Sequence, residues 1–130
     1  MGIFGLFKGS EKGEVKEEKT IPWHRLTSLE ELKTIEEESK RKPVAIFKHS
    51  TRCGISRMVI NQFEKSYDLT DDQLKLYYLD LLSFRDISDE VGYRFQVMHQ
   101  SPQLIVIKNG TAVAHASHHS IQSSSLHQYI

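Results

Sequence analysis

One cysteine, Cys53, is all the thiol that this chain of 130 residues contains. That solitude excludes an intramolecular disulfide framework and any all-thiolate zinc site. Neither sign of charge is in excess, because 17 basic residues balance 17 acidic ones. The balance removes the electrostatic warrant for nucleic acid or an anionic membrane as a partner. No apolar run approaches the roughly 18 residues that a membrane-spanning helix needs, and no internal repeat is present. What remains is 38% hydrophobic and 26% charged, the composition of a soluble globular protein. The length fits one domain and a short tail. A chain of this size buries roughly two thirds of its unfolded surface, so no covalent staple is required.

Residues 1–20 read as a flexible N-terminal tail and residues 21–130 as the domain. Gly2, Gly5, Gly9 and Gly13 interrupt the first segment, and a run of mixed charges follows without helical apolar spacing. The apolar stretch Met1 to Phe7 lacks a basic leader and a small-residue cleavage site, so no secretory signal is expected. Leu6 stands where a Gly2 myristoylation motif wants Ser or Thr. The expected address is therefore the cytoplasm, where a lone thiol stays reduced and serves catalysis or regulation.

Thr27 with Glu30, and Ser28 with Glu31, offer overlapping capping boxes ahead of a helix with Leu29, Leu32 and Ile35 on one face, closed by Pro43. Val44–Phe47 reads as a buried strand. Ile55, Met58, Val59, Gln62 and Phe63 then follow helical spacing. Leu74–Leu79 predicts a second strand, and Phe84–Phe95 a second crossover helix, weakened by Gly92. Leu104–Ile107 predicts a third strand, Asn109–Gly110 a hairpin turn, and Thr111–Ala116 the returning strand. Ile121–Ile130 predicts a closing helix. Strands joined through a helix run parallel with a right-handed crossover, and the hairpin supplies an antiparallel half. The expectation is an α/β chain whose element order resembles the thioredoxin-like fold: a central mixed four-stranded sheet, a parallel pair plus a C-terminal antiparallel hairpin, flanked by helices.

Cys53 falls between an apolar strand and an amphipathic helix. A sulfur at a helix N-terminus faces unpaired backbone N–H groups and the positive end of the helix dipole, both of which favour the thiolate. Arg52 and Arg57 add positive charge, with His49 and Lys48 at the end of the strand. Where a dithiol oxidoreductase carries its second cysteine, this chain has Ser56, within Cys53-Gly54-Ile55-Ser56. A serine cannot form a disulfide, so exchange must pass through a mixed disulfide with a second molecule. The hydroxyls of Thr51 and Ser56 are further candidates for stabilising the thiolate. Ser101-Pro102 stands before the strand Leu104–Ile107, where thioredoxin-like proteins hold a cis-proline facing the active cysteine and leave the backbone before it free to pair with an extended substrate.

The run Phe47-Lys-His-Ser-Thr-Arg-Cys-Gly-Ile-Ser56, with Trp23 upstream and Gln100-Ser-Pro-Gln103 downstream, resembles the YtxJ family of monothiol bacilliredoxins. The resemblance covers most of Pro22 to Ile130. It implies a thiol–disulfide oxidoreductase that binds no cofactor and uses bacillithiol as a low-molecular-weight co-substrate. It implies as partners client proteins capped with bacillithiol, bacillithiol itself and a bacillithiol disulfide reductase. Gly54 departs from that pattern, in which proline often follows the cysteine.

Other chemistries fit less well. Val59 occupies the position where a low-molecular-weight phosphatase loop requires arginine, and the papain-like Cys/His signature is absent. His115, His118, His119 and His127 cluster near the C-terminus, but the segment after Gly110 reads as strand and no acidic or thiolate partner is close in sequence, so no metal is expected. Two alternatives stay open: glutaredoxin-like exchange with another low-molecular-weight thiol, and a non-catalytic thioredoxin-like interaction module.

Overall fold

The computed structural model describes residues 20–130; the tail expected over residues 1–20 lies outside the described residues save Thr20. Five strands and three α-helices follow in chain order: β1 (Trp23–Arg25), α1 (Glu30–Glu38), β2 (Val44–His49), α2 (Gly54–Ser66), β3 (Lys75–Asp80), α3 (Arg85–Phe95), β4 (Gln103–Lys108) and β5 (Thr111–Ser117). Two 3-10 segments, His118–Ser120 and Ser123–Tyr129, complete the chain. The strands form one sheet in the order β1-β3-β2-β4-β5. β1 and β2 run parallel to β3, whereas β4 is antiparallel to both β2 and β5.

The mixed sheet agrees with expectation, but it has five strands instead of four. β1 is three residues long and half exposed, too short to show an alternating pattern, so it carries no periodic signal. The C-terminal segment is 3-10 rather than α-helical. Its Ser123-Ser124-Ser125 run supplies hydroxyls that compete for backbone carbonyls, as Ser125 Oγ does by donating to the Gln122 carbonyl at 2.7 Å. Only part of the capping pattern ahead of α1 forms. The Glu31 carboxylate accepts from the Thr27 and Ser28 backbone N–H groups at 2.8 and 3.1 Å, while no side chain caps the helix in return.

β2, at the centre of the sheet, is buried along its whole length and divides the core in two. On one face Val44 and Ile46 pack with Ile105 and Ile107 against Leu32 and Ile35 of α1 and Ile87, Val91 and Phe95 of α3. On the other, Ala45 and Phe47 pack with Leu104 and Val106 against Val59, Ile60 and Phe63 of α2 and Leu126. Trp23 closes this second face: it lies edge-on to Phe47, stacks on Phe63 and donates from Nε1 to Glu64 at 2.7 Å. Gly92 weakens α3 in propensity, yet a Cβ there would sit 3.0 Å from the Val97 carbonyl oxygen, so only glycine lets the chain return closely at the helix end. The hairpin turn forms as its sequence predicts, with Asn109 and Gly110 at φ 53° and 78°. It is tied to the end of α1, since Asn109 and Gly110 donate to the Ser39 carbonyl and hydroxyl at 2.7 and 2.8 Å.

Candidate active site

The end of β2 delivers the site. After His49 the chain turns through Ser50–Arg52, and Cys53 becomes the N-cap of α2, with extended φ −103° and ψ 123°. Its N–H donates to the Ser50 carbonyl at 3.2 Å and its carbonyl accepts from Arg57 N at 3.1 Å, the first hydrogen bond of the helix. The thiol is partly exposed. Thr51, Arg52, Gly54 and Arg57 are all exposed around it. Arg57 folds back so that Nη1 donates to the Thr51 carbonyl at 3.5 Å, which keeps its guanidinium over the loop.

Ser56 is fully buried, and its hydroxyl faces the strand rather than the cysteine. It accepts from the Ser50 N–H at 3.0 Å and pairs with His49 Nδ1 at 2.8 Å. The inward stripe of α2 is Ser56, Val59, Ile60 and Phe63, rotated from the Ile55, Met58, Val59, Gln62 and Phe63 spacing read in the sequence. Ile55 and Met58 are half exposed, and a serine hydroxyl satisfied by His49 and Ser50 takes a buried place that apolar spacing does not reveal. Burial, the largest influence, holds the His49 imidazole below its ordinary pKa; Arg57 acts in the same direction, against Asp80 and Glu64. His49 is therefore a neutral hydrogen-bonding partner under the loop, where the sequence suggested a positive charge.

Lys48 departs further from expectation. Its neighbour His49 faces α2, so Lys48 projects from the opposite face of β2. There it is fully buried, and Nζ donates to the Ser88 carbonyl in α3 at 3.1 Å and lies 3.3 Å from His99 Nδ1. An unbroken run of buried residues gives no alternation from which to assign faces, which is why the sequence left this unread.

The Ser101–Pro102 bond is cis. β4 follows it and pairs Gln103 with Lys48 of β2, so extending the register places Pro102 level with His49, at the head of the Cys53 loop. Gln103 is a contributor that sequence reasoning missed. Fully buried, it donates from Nε2 to the Met98 carbonyl at 3.0 Å and accepts from Gln100 N at 3.3 Å, bracing the loop that carries Ser101 and Pro102. Pro102 also accepts from His118 N at 3.0 Å, which fastens the first 3-10 segment to the same place.

Among the described residues no group of three or more His, Cys, Asp or Glu side chains is arranged to hold a metal ion. Of the C-terminal histidines, His127 pairs with Asp68 at 2.7 Å and His115 lies in β5 opposite Ile105. No described helix is long and apolar enough to cross a membrane.

Residues 24–126 match the family described as monothiol bacilliredoxin BrxC. Among solved structures, a protein described as a candidate oxidoreductase with a thioredoxin fold is 34% identical, with TM-score 0.70 over 83% of this chain and 93% of that one. Schistosoma mansoni thioredoxin pre-protein is 20% identical with TM-score 0.61 over 85% and 100% of the two chains. Fasciola hepatica thioredoxin is 19% identical with TM-score 0.56 over 80% and 92%. The last two likenesses concern the fold alone.

Proposed function

The chain belongs to the monothiol bacilliredoxin family and is a thiol–disulfide oxidoreductase of thioredoxin fold, and from that premise we propose that it removes bacillithiol from S-bacillithiolated proteins through Cys53. The observation that carries the reading is the pairing of a partly exposed N-cap cysteine with a serine at the place of a second thiol. The Cys53 thiolate attacks the bacillithiol sulfur of a capped client. The client–bacillithiol S–S bond breaks, a Cys53–bacillithiol S–S bond forms, and the client leaves as its thiolate, so the number of disulfides is unchanged. With no resolving thiol in the chain, a second bacillithiol thiolate takes the cap from Cys53 as bacillithiol disulfide, which a bacillithiol disulfide reductase returns to thiol. The cytoplasm is the compartment that suits this exchange.

The α2 N-terminus, with the Gly54 backbone and the Thr51 hydroxyl beside it, favours negative charge on the sulfur. Ser56 and His49 hold the loop from beneath. Arg52 and Arg57 pair with the malate carboxylates of bacillithiol, and Ser101 and Pro102 dock the client backbone.

The test incubates reduced protein with a bacillithiol-capped client and, separately, a glutathione-capped one, and reads intact mass. The expected result is a bacillithiol adduct on Cys53 that is absent in Cys53→Ser. Full activity of Cys53→Ser would overturn the mechanism, and transfer from the glutathione-capped client alone would overturn the thiol assignment.

A further inference from the structure

A cleft of about 380 Å³ runs between α2 and the two 3-10 segments, near the lower end of the roughly 300–1,000 Å³ range of small-molecule sites. Both of its walls begin at the active-site end of the molecule. Met58, on the α2 wall, is five residues past Cys53 and so about 7.5 Å further along the helix axis, and Gln62 follows about one turn beyond it, at about 13.5 Å. The opposite wall starts at His119, whose neighbour His118 donates its N–H to the Pro102 carbonyl at 3.0 Å.

The lining is amphiphilic in a particular way. Half-exposed Met58 presents apolar surface to the cleft and Phe63 and Ile121 are buried at its base, while Gln62, Gln122 and Ser124 line it with amide and hydroxyl groups. The side chains of these three have no hydrogen-bond partner among the described residues. No Lys, Arg, Asp or Glu lines the cleft. A pyranose ring has the matching character, with C–H groups on its faces and hydroxyls around its edge; a peptide with charged ends does not.

We propose that this cleft holds the sugar ring of bacillithiol while its sulfur is joined to Cys53. The ring lies against Met58, its far hydroxyls meet Gln62, Gln122 and Ser124, and the charged amine and carboxylates stay at the open rim. The inference rests on the function proposed above and adds to it the place where the cap is recognised, and so the source of preference among thiols with identical exchange chemistry.

The test compares two caps on one client protein: bacillithiol, and cysteine, which presents the same disulfide without the sugar. Gln62→Ala and Gln122→Ala are exposed substitutions whose folding is checked by thermal melting. Each is expected to slow transfer from the bacillithiol-capped client about 5–10-fold, the cost of losing one or two hydrogen bonds, while changing transfer from the cysteine-capped client less than about twofold. In the wild-type adduct, amide NMR shifts at Gln62 and Gln122 should differ between the two caps. Unchanged rates on the bacillithiol-capped client, or equal losses on both clients as expected of a client-protein surface, would overturn the sugar site. Failure of the wild-type protein to take bacillithiol at all would instead overturn the function on which it rests.

Discussion

Lys48 Nζ lies 3.3 Å from His99 Nδ1, so a fully buried ammonium joins the central strand to the loop that leads to the cis Ser101–Pro102 bond. With its other hydrogen bond on the Ser88 carbonyl, the side chain ties together β2, α3 and the β4 approach directly beneath the site. Among the described residues no carboxylate forms an ion pair with it. Asp89 acts on it from α3 at longer range, and burial, the dominant influence, lowers its pKa to about 8.

This buried charge predicts an unusual alkaline limb of stability. The folded protein releases the Lys48 proton near pH 8, whereas the unfolded chain keeps it to about 10.4. Between those values the unfolded state binds more protons, so stability rises with pH, by about 1 kcal/mol per unit. Burial raises the phenol pKa values of Tyr67 and Tyr77, which reverses the trend above about pH 10, where the unfolded phenols ionise. Urea midpoints should therefore climb from pH 8 to about 9.5. Lys48→Met should flatten that climb and be no less stable at pH 7, since it replaces an unpaired buried charge by a similar apolar volume. Parallel curves for the two proteins would show that the charge costs nothing where it lies.

Ser56 makes a separate prediction. Among the described residues its hydroxyl is the only partner of the Ser50 N–H, and it lies against His49 Nδ1, so Ser56→Ala leaves two inward-facing polar groups unpaired. The expected loss is about 1–3 kcal/mol in urea unfolding. Cys53 should still accept a cap in the intact-mass experiment, because the hydroxyl faces the strand and not the sulfur. A variant of unchanged stability that forms no adduct would assign Ser56 to the reacting atoms instead.

Legibility in the sequence followed the strength of local signals. The passage from Val44–Phe47 through a polar turn to the Ile55–Phe63 stripe is a change of period from strand to helix, and it located Cys53 at the helix N-terminus. Asn109–Gly110 demands left-handed backbone and formed the turn it predicts. The features left unread are those fixed by tertiary contact. Trp23–Arg25 is a strand because Tyr77 and its neighbours pair with it, and three residues carry no period of their own. Lys48 and Gln103 face each other across β2 and β4 as buried polar residues within apolar strands, where charge ordinarily marks a surface. Their partners are a helix carbonyl and a loop that no local pattern connects to them.

Gly54 offers the last prediction, because nothing around it requires glycine. It is the first residue of α2, and a Cβ there would meet only the Arg57 Nη2 atom, at 4.0 Å. Its N–H belongs to the first turn, where no intrahelical acceptor exists. Cys53 before it is already extended, at φ −103° and ψ 123°, the conformation that a following proline imposes. Gly54→Pro therefore fits the native backbone and restricts the unfolded chain, and should raise stability by about 0.4–1 kcal/mol, read as a higher urea midpoint at constant slope. The same substitution removes one of the N–H groups at the helix end beside the sulfur. If that donor contributes to the thiolate, alkylation of Cys53 at pH 7 should slow even as the fold becomes more stable. A fall in stability would instead show that the loop draws on the freedom of glycine at this position.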